Sequence, residues 1–533
     1  MAEPSRANRY DAVVIGGGHN GLVAAAYLAR AGRTVLVCER RPVLGGASVS
    51  EEVHPGFRYS VFSYVVSLLR PEIVRELELP RHGLVVLPLE STLTPVPGGR
   101  YLFRNADQHQ TRRSIYRFSP TDADAYDDYG RDMYFMARAV KHLLGVVPPD
   151  PTSLGPRHLG GLLDLARHFL GLGEDKLYLL TKLMTMSAAD FVAEWFESEP
   201  LRATLAASGI IGTYLGVRSP GTAYVLLHHY MGELDGVFRA WGFAKGGTGS
   251  VAAALASAAR AYGARIRTDA AVEKVLVKGG RATGVALTNG DEIRAATVVS
   301  SLDPRWTFER FLDPGLVDDD LKAALGRYRY RGSSAKVNLA LDRAPELACL
   351  PGSGAHLKGA LSFSPSTAYM EQAYDDAKYG APSRRPYLDV IVPSMIDPDM
   401  APPGEHVMSC FVQYAPYTLR DGVWDDAARD RLGDAVVDTL AEHLPGIRES
   451  ILHRQVLTPL DIERITGLTE GNIFQGELDL TQLFFLRPAH RVARYRTPVA
   501  RYYHCGSATH PGGGIMGAPG RLAALEILRD MTA

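Results

Sequence analysis

Cysteine is scarce in this chain. Its 533 residues hold four, Cys38, Cys349, Cys410 and Cys505, all far apart in sequence. No C-x-x-C pair occurs, so neither a redox-active dithiol nor a zinc ribbon has support. A disulfide framework is equally unsupported, and a reducing compartment is the expectation. No metal site is expected either: His228 and His229 are adjacent on a helix-like stretch and point in different directions. Charge of one sign is also missing. The 58 Lys and Arg residues nearly cancel the 59 Asp and Glu residues, leaving a net charge of −1, which argues against nucleic acid as a partner. No uninterrupted apolar run is long enough to span a bilayer. The opening MAEPSRANRY has no apolar core of a secretory signal, and the first strand is expected directly after it. These absences point to a cytoplasmic location and leave peripheral membrane contact open. The length exceeds what one hydrophobic core normally serves, so two or more domains are expected.

What the chain has is glycine in ordered positions. Ala12–Ile15 reads as a short buried parallel strand. Gly16, Gly18 and Gly21 follow in G-x-G-x-x-G spacing, then small and apolar residues over Leu22–Ala31, with Gly32 as a helix stop. A second strand, Thr34–Cys38, delivers Glu39. Gly16 permits the tight turn, Gly18 lets a pyrophosphate reach the backbone, and Gly21 lets helix and strand pack closely. The helix N-terminus offers unpaired N–H groups to that pyrophosphate, and Glu39 is placed to accept ribose hydroxyls. The whole order reads as a dinucleotide site, although it does not separate FAD from NAD. Beyond Glu39, Arg40 or Arg41 is a candidate for the ribose or phosphates, against the alternative of a solvated turn. Gly45 and Gly46 allow a further close backbone approach.

Along the rest of the chain, Phe57–Arg70 is rich in aromatics and hydroxyls and reads either as a ligand-pocket wall or as a core segment. Leu84–Leu89 and Tyr101–Phe103 are expected as strands, with a hairpin turn over Pro95–Gly99. From Asp122 to about Tyr230 the pattern is mainly helical: Asp122–Leu144 capped by Ser119 or Thr121, then Leu159–Leu172 and Lys176–Glu197. The apolar LGGLLDLARHFLGLG segment is expected to pack in the core, with a tunnel mouth or a lipid surface as alternatives. Gly247, Gly249 and Ala252 fit a second G-x-G-x-x-A. The preceding VFRAWGFAKG makes a poor buried strand, so the expectation is a helix, Ser250–Tyr262, returning the chain to the first sheet through strand Arg265–Arg267. Ala271–Lys278, Arg281–Leu287, Glu292–Ala295 and Val298–Ser301 read as strands, with a type I′ turn at Asn289-Gly290. Lys336–Leu341, Tyr387–Pro393 and Glu405–Tyr414 are further strands, and Asp425–His443 is a capped helix.

The chain ends as it begins. A strand, Arg501–Cys505, leads into a glycine-rich loop running from Gly506 to Gly520, and a helix, Arg521–Met531, follows. The first fingerprint, the KGGTGS…AVEKV block and the terminal YHCGSATHPGGGIMGAPG together resemble the FAD-dependent phytoene-desaturase-like group of the flavin amine oxidase superfamily, in its pyridine nucleotide-disulfide oxidoreductase domain-containing branch. The resemblance implies an α/β architecture: a discontinuous Rossmann-like FAD-binding domain (residues 1–80, 236–305 and 458–533) with an inserted α+β substrate domain. That insertion comprises 81–235, largely helical, and 306–457. It also implies FAD as cofactor, Val272 near the adenine, Gly506, Ile515 and Met516 beside the ribityl chain and isoalloxazine, and a terminal helix dipole that favours an anionic reduced flavin.

In such an enzyme the cofactor does the hard chemistry, and the protein places a C–H or N–H bond beside it and excludes water. His510, Tyr59, Tyr64 and Arg487 are the candidate polar groups near the flavin. His510 has the alternative of a loop-locking hydrogen bond to backbone, and Cys505 reads as a packing residue. The expected activity is a dehydrogenase or desaturase acting on a hydrophobic or isoprenoid-like small molecule, with oxygen or a quinone as electron acceptor. The alternatives are an oxidase of amines or amino-acid derivatives that makes peroxide, a flavin-stabilised interaction protein with little turnover, and an NAD(P)H-driven reductase.

Overall fold

The computed structural model describes residues 9–234 and 236–532. The expected leader-free segment before residue 9 lies outside them. β1 (Arg9–Ile15) runs into α1 (His19–Arg30) and then β2 (Val35–Cys38). Gly32, at φ +78°, ends the helix as its sequence position suggests. β1 lies between β2 and the strand Glu292–Ser300, parallel to both. Arg265–Arg267 extends this parallel sheet beyond β2, and the helix Gly249–Ala261 precedes it. The second glycine pattern therefore starts a crossover helix of the first sheet and no second nucleotide fold. Its preceding segment, Gly242–Ala244, pairs with Val86–Pro88 instead of opening a parallel sheet.

Glu292–Ser300 is one long strand where two short ones were expected. Along one edge its first half pairs antiparallel with Arg281–Leu287, and its second half pairs parallel with Tyr502–His504. That double partnership brings the end of the chain into the sheet formed by its beginning. The Asn289-Gly290 turn is not type I′, since only Gly290 has positive φ; the Asn289 carboxamide accepts the Asp291 N–H instead. α1, Gly249–Ala261 and the terminal helix Ala518–Thr532 cover one face of the sheet. Their shared core mixes alanines with Leu22, Leu28, Leu255 and Leu522. Small residues let the helices approach, and each buried leucine contributes about 2 kcal/mol.

A second, seven-stranded sheet is ordered Ile451–Leu457, Ser334–Leu341, His406–Gln413, Tyr387–Ile391, Ala360–Phe363, Ser91–Val96 and Arg100–Asn105. The hairpin thus joins Ser91–Val96 to Arg100–Asn105; Pro95 and Val96 are strand residues, and Leu84–Leu89 contributes to a different pair. Residues between Phe308 and Leu325, expected with the substrate domain, pack on the first sheet.

The helical region starts with Pro120–Lys141, capped by Ser119. The expected Lys176–Glu197 helix is interrupted at Met186-Ser187, where Ser187 caps a new short helix. Pro156–Leu170 departs furthest from expectation. It has no buried residue, so core packing is overturned. Leu159, Leu163 and Leu170 are exposed, as are Leu154 and Tyr178 beside them. No helix among the described residues is long and apolar enough to cross a membrane.

Candidate functional site

At the carboxyl end of β1 the fingerprint has the geometry its residue types demand. A side chain at Gly21 would overlap the Gly16 carbonyl oxygen, and one at Gly16 would overlap the Ser301 hydroxyl. Gly18 is different: nothing lies within 4 Å of the position its Cβ would take. Space is left there, at a helix N-terminus with no capping side chain. Gly45 and Gly46 form the opposite wall, Gly45 bridging to Gly18. Glu39 closes the end of β2, accepting N–H groups from Gly17 at 2.7 Å and Arg41 at 2.9 Å. Three buried polar atoms around this space have no partner: His19 Nε2, Asn20 Oδ1 and Arg41 Nη1. An open glycine floor, a carboxylate and unpaired donors suit the diphosphate and ribose of FAD.

Arg40 does not join them. Its guanidinium reaches the Ile465 carbonyl at 2.8 Å, because the neighbouring segment 464–467 offers helix-end carbonyls on that side. Val272 begins a strand just past Ala270, whose N–H bonds the Glu39 carbonyl at 2.8 Å, so it lies on the Glu39 side of the cradle.

The two glycine motifs meet. Asn20 Nδ2 donates to Ser507 Oγ at 3.0 Å, and a Cβ on Gly520 would overlap the Asn20 carbonyl. Gly506 touches the Ser301 backbone so closely that only glycine fits. Ile515 takes φ +55°, a conformation costly for a β-branched residue. Met516 is fully buried against the helical core, and its carbonyl accepts the Arg70 N–H at 3.2 Å. His228 lies beside the Gly513 backbone with both ring nitrogens buried. Burial pushes its pKa well below the usual imidazole value.

The four candidate polar residues separate sharply. Arg487 is fully buried and spends every donor on backbone: its N–H groups go to the carbonyls of Ser507, Glu477, Gln482, Phe474 and Gly476, at 2.9–3.2 Å. It clamps the 474–482 loop to the terminal glycine loop and has nothing left for a substrate. His510 is the loop lock: Nε2 bonds the Leu143 carbonyl at 2.8 Å, and burial brings its pKa down to about 4. Tyr59 is buried in a small apolar cluster with its hydroxyl 3.2 Å from His453 Nδ1, also a packing role.

Tyr64 alone faces a cavity. That cavity, about 960 Å³, lies between the helical region and the second sheet. Leu69, which packs against Gly517, lines it too, so its inner end abuts the terminal glycine loop. The Tyr64 hydroxyl donates to Asp389 Oδ2 at 2.6 Å. Burial raises the Asp389 carboxyl to about 6, against the opposing effect of the Tyr64 hydrogen bond. Behind this pair stands Lys336, whose ammonium donates to Ser409 Oγ at 2.6 Å, Asn338 Oδ1 at 2.7 Å and the Ser60 carbonyl at 3.1 Å. Burial lowers its pKa to about 7. With Asn338, which donates to the Val61 carbonyl at 3.2 Å, it pins the segment before Tyr64 onto the sheet. Neither Asp389 nor Lys336 carries a motif. The one sequence signal was a charged residue within each of two largely apolar strands, SAKVNLAL and YLDVI.

Known proteins place this arrangement. The family model for flavin containing amine oxidoreductases matches residues 21–528. Pyridine nucleotide-disulfide oxidoreductase domain-containing protein 2 of Rattus norvegicus is 41% identical over 547 residues, covering 98% of this chain and 94% of the relative. A lycopene-forming phytoene desaturase of a Paracoccus strain is 27% identical, covering 98% of each chain. Among solved structures, putrescine oxidase bound to putrescine shares the fold with a TM-score of 0.59 and 15% identity, over 98% of this chain and 99% of that one. With a family model spanning nearly its whole length and a relative this similar, the chain belongs to the flavin-containing amine oxidoreductase family and is an FAD-dependent oxidoreductase.

Proposed function

We infer that this oxidoreductase is a dehydrogenase or desaturase of an apolar, isoprenoid-like small molecule. The observation that carries the reading is the cavity: some 960 Å³, with more apolar than polar lining, and with the Tyr64–Asp389 pair buried in its wall. A volume of that order takes a ligand larger than a simple amine or amino acid. The relatedness to a phytoene desaturase is consistent with it.

Bound FAD supplies the acceptor for the hydride that leaves one carbon of the substrate. The protein's own work is then to hold the chain in the cavity and to take the proton that leaves the neighbouring carbon. Asp389 is the group placed for this, because a carboxyl near 6 is largely ionised at neutral pH yet accepts a proton readily. Tyr64 orients it, and Lys336 fixes the segment bearing Tyr64. The electrons pass on to oxygen or a quinone.

Asp389 is also the observation that favours the second reading, an amine oxidase, since a carboxylate in a cavity can pair with an ammonium group. Anaerobic reduction of the bound flavin separates the two. Bleaching by apolar isoprenoid chains supports the desaturase; bleaching by an amine panel and by no apolar chain overturns it. Turnover by neither, with a flavin that nothing bleaches, would make the protein a flavin-stabilised binding module.

The exposed apolar side of Pro156–Leu170 supports a companion proposal, peripheral contact with a lipid surface from which an apolar substrate is drawn.

A further inference from the structure

Away from Asp389, the same cavity is lined by Arg104, Tyr126 and Arg239. Arg104 comes from the strand Arg100–Asn105, Tyr126 from the helix Pro120–Lys141, and Arg239 from the loop that follows Val237–Phe238. Three remote segments thus bring two guanidiniums to one phenol. Arg239 Nη1 donates to the Tyr126 hydroxyl at 3.4 Å, and its guanidinium lies 4.5 Å from the centre of the Tyr230 ring. Arg104 faces the same hydroxyl, and its Nε is buried without a partner. Among the described residues no carboxylate pairs with either guanidinium, whereas two cations lining the neighbouring small cavity do have carboxylate partners: Arg70 has Glu72 and Lys141 has Glu233.

Two like charges held together away from bulk water repel each other, and burying each one unpaired is costly. At Arg239 burial is outweighed by the neighbouring Tyr230, Tyr126 and Tyr129 phenols, which raise its pKa; the repulsion shows at Arg104 and at Tyr126. Burial and then Arg239 lower the pKa of Arg104. Burial alone would raise the Tyr126 phenol, yet the two guanidiniums outweigh it and bring the phenol down to about 8. Arg239 also holds a left-handed backbone, φ +58°, which a non-glycine residue adopts at some cost. A planar oxyanion would relieve the repulsion, because guanidinium groups match carboxylate and phosphate oxygens in a forked geometry.

We propose that Arg104, Arg239 and the Tyr126 hydroxyl form an oxyanion subsite, so that the substrate is an apolar chain ending in an acidic group, a carboxylate or a phosphate ester. The proposal rests on the reading of the cavity as the substrate site and narrows it. A neutral hydrocarbon would leave the two charges unpaired, and a protonated amine would add a third.

Calorimetric titration of the FAD-loaded protein with decanoate, decyl phosphate, decanol and decylamine tests it. One of the two acidic chains should bind at least about tenfold more tightly than the alcohol, and the amine should bind worst. Preference for decanoate assigns a carboxylate end, and preference for decyl phosphate assigns a phosphate ester. Arg104→Met and Arg239→Met should each remove most of the preference while leaving decanol affinity unchanged, and Arg239→Lys should restore part of it. The retained flavin spectrum of each variant reports folding. Equal affinity for acid and alcohol, tighter binding of the amine, binding by no chain at all, or an acid preference untouched by both Met variants would each overturn the proposal. Failure of the broader reading looks different: the acids bind at the arginines, but only amines reduce the flavin.

Discussion

The cofactor cradle and the substrate cavity are built on opposite principles. The cradle is made of backbone. Gly16, Gly18, Gly21, Gly45 and Gly506 act by lacking a side chain, and the cradle offers a helix N-terminus and one carboxylate, Glu39. The cavity is made of side chains. Tyr64, Asp389, Arg104, Tyr126 and Arg239 come from five separate segments and act through their functional groups. The cradle's chemistry is common to Rossmann-type dinucleotide folds whatever they oxidise, whereas the choice of substrate lies in side chains outside it.

The contrast can be broken from either side. Gly21→Val should have the largest effect: its Cβ would overlap the Gly16 carbonyl, and neither backbone can yield, so purified protein should lack flavin absorbance and melt earlier. Asp389→Asn should leave flavin content and melting temperature near wild type but lower kcat by about 10²-fold or more. In the wild type, kcat/KM should rise with pH through about 6, as the carboxylate that accepts the proton ionises, and the Asn variant should lack that limb. A wild-type rate that is flat from pH 5 to 8, as measured by stopped-flow flavin reduction, would remove Asp389 from the chemistry. Arg487→Lys should cost about 3 kcal/mol in denaturant unfolding, since one ammonium cannot satisfy five buried carbonyls. Its kcat per bound flavin should stay unchanged; a fall in that ratio would return Arg487 to the active site. Gly18→Ala sharpens the comparison within the cradle, because its Cβ meets no protein atom. The apoprotein should be as stable as wild type, and only FAD affinity should fall, by about tenfold or more. The smallest effect on the fold belongs to Leu163→Asp, on the exposed helix. Stability should change by less than about 0.5 kcal/mol, while cosedimentation with anionic lipid vesicles should be lost.

How far each region was legible in the sequence follows from the same contrast. β1, α1, β2 and Glu39 were readable because strand, glycines, helix and acid are contiguous, and each residue type answers a local steric or electrostatic demand. The terminal glycine loop was readable for the same reason. His510 was attractive because it sits inside that loop, but its imidazole is taken by the Leu143 carbonyl, a partner 367 residues away. Arg487 and Tyr59 look like active-site polar groups until their partners are counted. Arg40 turns outward because carbonyls at 464–465 happen to be within reach. Asp389, Arg104 and Arg239 carried no motif, since nothing in their local spacing records that they share one cavity.

By itself the sequence determined a dinucleotide site and the strand–helix–strand unit that holds it, because a pyrophosphate on a helix N-terminus needs glycine at fixed offsets from a strand. It also determined the family, through two glycine motifs at opposite ends of the chain. Only the tertiary structure decided that Pro156–Leu170 turns Leu159, Leu163 and Leu170 to solvent, that Arg487 is a clamp, and that the polar side chains lining the cavity come from five distant segments. The physical reason is locality: backbone conformation is a matter of neighbouring residues, whereas burial, hydrogen-bond satisfaction and charge pairing depend on whichever partners the folded chain brings within a few ångströms.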